Sequence, residues 1–518
     1  MNKRIKSIVI VGGGSAGWLT AGTIAAAHSQ GRGRDLSVTL IESASIKILG
    51  VGEGTWPSMR DTLRNIGISE SEFIRECDAS FKQGSKFTDW KRGAGESYYH
   101  PFTLPEGWGE INLALAWPLF SGRVSFAEAV CPQASISEQH LAPKDIATPE
   151  YGYLLNYGYH LDAGKFADFL KRHCCSKLGV KHIIADVEEV GAGDNGYITS
   201  LKTSSGVIEG DLFIDCTGFA SLLIGDHFQV PFIERRNVLF NDTAMAVQVH
   251  HQEGEPVASC TRSTARSFGW IWDIGLQSRR GVGYAYSSAH ANDAEVEREL
   301  MEYLIASSGR DVSLKSEIRK ITFRPGHREK FWIKNCVAVG VSAGFIEPLE
   351  ASALVMIELA AKRLAEQMPA DFETMPMLAQ RFNEKFTYHW QRLIEFLKLH
   401  YIMSSREDTN YWRDNKLPES IPESLQQLVG LWRNQPPSAY DNPHSEELFS
   451  SASFQYVLYG MASAQTDAFE YPALSENERR LASALLEKNA QQTRRLLGRL
   501  PENSYLLNQI SAVAAAPK

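Results

Sequence analysis

Gly12, Gly14 and Gly17 are the first residues whose spacing could do chemistry. They follow the β-branched run Ile8 to Val11 and lead into an Ala-rich stretch, Leu19 to Ala27, so a strand, a tight turn and a helix are expected. Gly12 permits the turn, Gly14 lets backbone approach a pyrophosphate, and Gly17 lets the helix pack closely on the strand. Ser15 and Ala16 open that helix, whose N-terminus would receive the phosphate. A second strand, Ser37 to Ile41, ends in Glu42, placed for a ribose hydroxyl; a carboxylate there favours an unphosphorylated adenosine ribose. FAD and NAD both satisfy this segment.

Other chemistry-bearing residues are scattered. The loop Ile48 to Ser58 sets Gly52 and Glu53 among further glycines, as backbone lying against a ligand, moving over one, or simply connecting elements. Asp215 ends an apolar strand just before Thr217 and Gly218, a second place where a strand terminus could meet a cofactor. Gly340 and Gly344 bracket a turn that leads toward a helix near Pro348. Lys82 and Lys86 stand among aromatics, and His100, Phe102 and the rings up to Trp117 suit either a wall for a flat ligand or a core. On residue type alone, Lys82 reads as a solvated charge, Trp270 and Trp272 as aromatics on one face of a strand, and Glu350 as a first-turn helix glutamate.

The elements that must position these residues follow from periodicity. Helices are expected over Asp61 to Cys77, Phe166 to Leu178, Ala294 to Ser307 and Met375 to Tyr401, with a mostly helical remainder from Asn410. Two hairpin segments precede Leu212; Asn237 to His251, Gly269 to Leu276 and Val282 to Ser287 read as strands of an antiparallel sheet, and Trp332 to Gly340 as a strand. With 518 residues the chain has room for two or more cores. A net charge of −8 disfavours nucleic acid or an anionic membrane as partner and leaves a small molecule as the default. Seven cysteines without paired or metal-ligand spacing read as free thiols in a reducing, cytoplasmic setting. The basic start before an apolar run imitates a secretory signal, but its three glycines suit the dinucleotide turn better.

Lys82, the element Trp270-Ile-Trp-Asp-Ile274 and Phe345-Ile-Glu-Pro-Leu-Glu350 together resemble a flavin-dependent halogenase of the tryptophan-halogenase family. The likeness extends over nearly the whole chain, with Gly52-Glu-Gly54, Asp215-Cys-Thr-Gly218 and the segment His400 to Trp412 in support. It implies an α/β fold: a Rossmann-type FAD-binding domain with an antiparallel sheet and a mostly helical C-terminal part. The implied division is 1–370 for FAD binding and halide oxidation, with the sheet inserted at about 80–330, and 371–518 for substrate binding. It implies FAD, used as FADH2 from a separate flavin reductase, a halide ion, and no metal. Hypohalous acid made near the flavin would travel through a tunnel to the lysine beside the arene, which is Lys82 here, with Glu350 as its partner carboxylate. A lysine with a free pKa of about 10.4 is charged unless its surroundings lower it. It can activate hypohalous acid by hydrogen bonding or, once deprotonated, form a haloamine. Glu350 would accept the proton lost when the ring regains aromaticity.

The same resemblance makes Trp270 and Trp272 a barrier between flavin and arene, and His100, Phe102 and Phe454 the rings that enclose the substrate. Gly12, Gly14, Ser15, Ala16, Gly17, Glu42, Gly52, Glu53, Asp215, Gly218, Gly340 and Gly344 would line the cofactor. The chain departs from the family pattern at Gly275, where proline is usual, at Ala351-Ser352, where Ser-Thr is usual, and in Glu53-Gly-Thr-Trp56. Indole, tryptophan and other electron-rich arenes are the expected substrates; a homodimer is compatible with the family. The rivals are an aromatic monooxygenase, a nicotinamide dehydrogenase and a non-catalytic flavin-binding protein.

Overall fold

A computed structural model describes residues 4–28, 36–46, 52–120, 123–309, 312–442, 444, 446–462 and 469–515. The chain forms two compact units, each discontinuous in sequence. One comprises Met1–Ala79, Leu161–Arg235 and Arg324–Trp390, the other Ser80–His160, Arg236–Phe323 and Gln391–Lys518.

The first unit is built on a six-stranded sheet in the order Trp332–Ile333, Cys336–Ala338, Leu212–Asp215, Ser7–Val11, Ser37–Glu42, Lys181–Ile184. All neighbours run parallel except the first pair. The central strand Ser7–Val11 is apolar and buried from Ile8 to Val11, as a strand covered on both faces must be. Helix Ser15–His28 packs on helices Ala163–Lys177 and Ser352–Glu366. Asp162 caps helix Ala163–Lys177 by accepting from the Gly164 and Lys165 amides.

Three expectations are corrected here. The helix foreseen over Asp61 to Cys77 is two, Ser58–Ile66 and Glu70–Glu76, because Gly67 turns left-handed at φ 86° and Ser69 caps a new start. Trp332 to Gly340 is not one strand but a short antiparallel pair, folded back at Lys334 with φ 51°. Of the residues foreseen as two hairpins, Lys181–Ile184 joins the parallel sheet, and Val187–Ala192, Ile198–Thr203 and Gly206–Glu209 form a three-stranded meander.

The second unit holds a seven-stranded sheet in the order Arg319–Thr322, Thr243–Val249, Arg280–Tyr286, Gly269–Gly275, Thr261–Arg266, Gly84–Thr88, Ser97–Pro101. Helix Asp293–Ser308 covers one face, and its Val296, Leu300, Tyr303 and Leu304 pack on Met245, Val247, Ile271 and Val282. Helices follow in the C-terminal part, from Asn410–Asp414 to Asn503–Ala515. Among the described residues no helix is long and apolar enough to cross a membrane.

Alternation along Gly269–Gly275 puts Trp270 and Trp272 on one face and Ile271 and Asp273 on the other, toward the helix. Asp273 is buried there with Arg280: Nε donates to Oδ1 at 3.1 Å, Nη2 to Oδ2, and the Tyr303 hydroxyl to Oδ2 at 2.9 Å. Burial pushes the Asp273 carboxyl up, but the Arg280 charge and hydrogen bonds outweigh it and hold the group below its ordinary range. Removing one member of such a pair strands the other's charge. Asp273→Ala is therefore expected to cost about 3–5 kcal/mol of stability in denaturant unfolding. A cost below about 1 kcal/mol would mean that Arg280 finds other compensation.

Candidate active site

The cofactor cradle belongs to the first unit. Gly12 has φ 115°, and a Cβ there would come 2.2 Å from the Cys216 carbonyl oxygen; one on Gly17 would come 1.8 Å from the Gly12 carbonyl oxygen. Gly13, which the spacing argument passes over, lies under Glu42: an added Cβ would meet Oε2 at 1.7 Å. Among the described residues an added Cβ at Gly14 meets nothing within 4 Å, whereas Gly12, Gly13 and Gly17 are each closed by protein, and Gly14 immediately precedes helix Ser15–His28. An open glycine facing a helix N-terminus fits the pyrophosphate of a dinucleotide.

Glu42 is partly exposed at its strand end, 3.0 Å from His182 Nε2 and 3.6 Å from Lys171 Nζ. Asp215 is fully buried and satisfied by its own turn: it accepts from the Thr217 amide and hydroxyl and from the Leu223 and Ile224 amides. Its carboxylate thus shapes the turn that carries Gly218. Gly340, at φ 77°, leaves room for Ala16, and Gly344 is pressed between the Gly326 carbonyl and Trp390. Gly52 is buried at φ 97°, and burial raises the Glu53 carboxyl to about 7. The first part of that loop, 48–51, lies outside the described residues.

Glu350 stands in an unusual backbone. The helix expected near Pro348 begins as an α-helix only at Ser352, and Glu350 and Ala351 are both left-handed, at φ 65° and 54°. Glu350 thus precedes the first turn of that α-helix instead of lying in it, which corrects the reading of Glu350 as a first-turn glutamate. Left-handed non-glycine residues cost of order 1–3 kcal/mol each and persist where surroundings impose them. Here the Trp56 indole N–H donates to the Glu350 carbonyl at 2.8 Å, and the Ala351 amide donates to Pro348 at 2.9 Å. The Glu350 residue is buried, at 5% exposure.

Eight residues on, Glu358 joins the same two segments. It is buried and accepts from Ser58 Oγ at 3.1 Å and Thr62 Oγ1 at 2.5 Å, yet burial outweighs both hydroxyls and raises its carboxyl from 4.5 to about 7. Between those values the folded chain holds a proton that the unfolded chain has lost, so this group's contribution to stability falls as pH rises through the window. The full difference is about 3 kcal/mol. Glu358→Gln is expected to gain thermal stability over the parent at pH 8 and to lose that advantage at pH 5; melting curves at both values check it, and equal shifts would contradict it.

Lys82 belongs to the second unit, on the short strand Ser80–Lys82, which pairs antiparallel with Gly158–Leu161. It is not solvated: its exposure is 0%, and Nζ lies 5.2 Å above the Phe102 ring. His160 lies opposite Ser80, a diagonal neighbour of Lys82. It is fully buried, with Nε2 2.8 Å from the Thr261 hydroxyl. Burial first, and the Lys82 charge second, push its imidazole well below the ordinary value, so it sits beside Lys82 as a neutral ring.

Phe102 is half-buried beneath Lys82, whereas His100 is buried against Phe396 and Tyr456. Phe454 is deeply packed, 5.0 Å from Phe396, 5.2 Å from Trp432 and 4.9 Å from the Arg392 guanidinium. Trp270 and Trp272 lie 6.1 Å apart, and Trp272 occupies the space that a side chain on Gly283 would need. The structure thus groups Lys82 with Phe102 in one unit, and the glycine cradle with Glu350 in the other. Sequence reasoning missed His160, Asp273, Glu358 and the role of Trp56; an aspartate inside an otherwise apolar strand was the one legible signal among them.

A family model described as tryptophan halogenase matches residues 7–471. The tryptophan 6-halogenase SttH of Streptomyces toxytricini is 34% identical over 456 residues, covering 83% of this chain and 84% of that protein. The tryptophan 7-halogenase RebH of Lentzea aerocolonigenes is 33% identical over 452 residues, covering 84% and 83% respectively. Among solved structures, a tryptophan halogenase from Shewanella frigidimarina NCIMB 400 superposes with a TM-score of 0.94 at 48% identity, covering 98% of both chains.

Proposed function

The chain belongs to the tryptophan halogenase family, and from that premise we propose that Lys82 and Glu350 carry an electrophilic halogenation of an indole-type arene. Burial of Lys82 carries this reading: lysines are rarely fully buried, and this one holds its nitrogen 5.2 Å above Phe102, the ring that the resemblance assigns to the substrate.

Reduced FAD, held at the Gly12–Gly17 turn with Glu42 toward its ribose, would supply the electrons with which oxygen converts halide to hypohalous acid. The rest belongs to the chain. Lys82 donates a hydrogen bond to the hypohalous acid and holds it over the arene, in a dry setting that strengthens the interaction. His100, Phe102 and Phe454 flank the ring and leave one carbon facing the oxidant. That carbon takes the halogen, the departing hydroxide takes a proton from the Lys82 ammonium and leaves as water, and Glu350 accepts the ring proton, so that the proton given up at Lys82 is balanced by the one gained at Glu350. Trp270 and Trp272 keep the arene away from the flavin, so that oxygen reaches halide and not carbon.

The two curated relatives named above act at positions 6 and 7 of tryptophan, so regiochemistry does not transfer by likeness. Free cysteines throughout the chain suit a reducing cytoplasm. Photochemically reduced FAD, supplied without NADH, tests the separate source of electrons. Halogenated product is expected for indole or tryptophan; a requirement for NADH together with a hydroxylated product would favour the monooxygenase.

A further inference from the structure

The geometry points to Trp56 as the positioning residue for Glu350: its indole N–H, donated to the Glu350 carbonyl at 2.8 Å, holds the left-handed turn that aims the carboxylate and links that turn to the Gly52–Gly54 segment. The inference rests on the reading of Glu350 as the proton acceptor.

Three observations within the first unit carry it. The turn contains two consecutive left-handed residues, neither of them glycine, and Ala351 makes no side-chain cap for the helix that follows. Such a conformation needs a partner from elsewhere in the fold, and Trp56 supplies one from a position 294 residues away. Next, Trp56 stands between a short strand, Glu53–Gly54, and a helix, Ser58–Ile66. Behind it are Gly52 and Gly54; ahead of it Pro57, with φ −57°, opens helix Ser58–Ile66. Finally, that helix is tied to helix Ser352–Glu366 by the Ser58 and Thr62 hydroxyls on Glu358. The chain after Trp56 is therefore pinned to the chain after Glu350, and the indole hydrogen bond fixes the turn against that same anchored segment.

The test replaces Trp56 with 3-benzothienylalanine, which keeps the ring's shape and exchanges N–H for sulfur, with Trp56→Phe alongside. The expected result is a fall in halogenation kcat of about ten- to a hundredfold, with arene KM and FAD affinity essentially unchanged. In flavin-free protein carrying 15N-tryptophan, the Trp56 indole proton is expected to exchange slowly with solvent. Full kcat in the benzothienyl variant, rapid exchange of that proton, or a loss of kcat matched by loss of FAD affinity would each overturn the assignment. Glu350→Gln with unaltered halogenation would defeat the reading of Glu350 itself. An impaired Glu350→Gln beside an unimpaired benzothienyl variant would defeat the Trp56 assignment alone.

Discussion

Lys82→Ala is expected to abolish halogenation while oxygen-dependent consumption of reduced flavin continues. The substitution removes the one donor that the proposed mechanism gives to the oxidant. Loss of a single preorganised donor in a water-excluded site costs about 100- to 1,000-fold in rate. The flavin cradle belongs to the other unit, and Gly12, Gly13 and Gly17 are closed by contacts within it, so cofactor affinity is expected to survive. Product analysis together with hypohalous acid trapping checks both halves. Normal halogenation by Lys82→Ala would remove the lysine from the mechanism. Lys82→Met is the companion variant, since it fills the buried space beside Phe102 and separates loss of the nitrogen from loss of packing.

Glu350→Gln is expected to slow halogenation by about a hundredfold or more, the usual worth of a positioned general base. The amide keeps the shape of the carboxylate and leaves the Trp56 bond to the backbone carbonyl in place, so the turn at φ 65° is preserved. What is lost is the capacity to accept a proton and to oppose the positive charge of the ring intermediate. With an arene deuterated at the reacting carbon, a primary isotope effect is expected to emerge in the variant as proton loss becomes slow. Unchanged turnover would take the base role from Glu350.

The parts of the fold legible in sequence were those set by local spacing. Strand Ser7–Val11, its glycine turn and helix Ser15–His28 lie within one short stretch, so their spacing alone announces them. Period two placed Trp270 and Trp272 on a shared face, because alternation is a property of the strand itself. Interactions between distant residues were not legible. Nothing in Ser80-Phe-Lys82 distinguishes a solvated lysine from one with 0% exposure, since its burial is decided by strands and rings elsewhere in its unit. The left-handed pair Glu350 and Ala351 has no glycine to announce it, and its partner Trp56 comes from the other end of the first unit's sequence. Gly67 could have been read as the end of one helix and the start of another, but apolar periodicity on both sides masked it.

Mass spectrometry of a reaction containing enzyme, FAD, a flavin reductase, NADH, oxygen and either chloride or bromide, with indole and tryptophan offered in parallel, tests the central claim most directly. The expected product has one ring hydrogen replaced by halogen, bears the isotope doublet of the halide supplied, and is absent when Lys82→Ala replaces the parent. A hydroxylated ring, or hydrogen peroxide with no halogenated arene across a wider panel of electron-rich substrates, would contradict it.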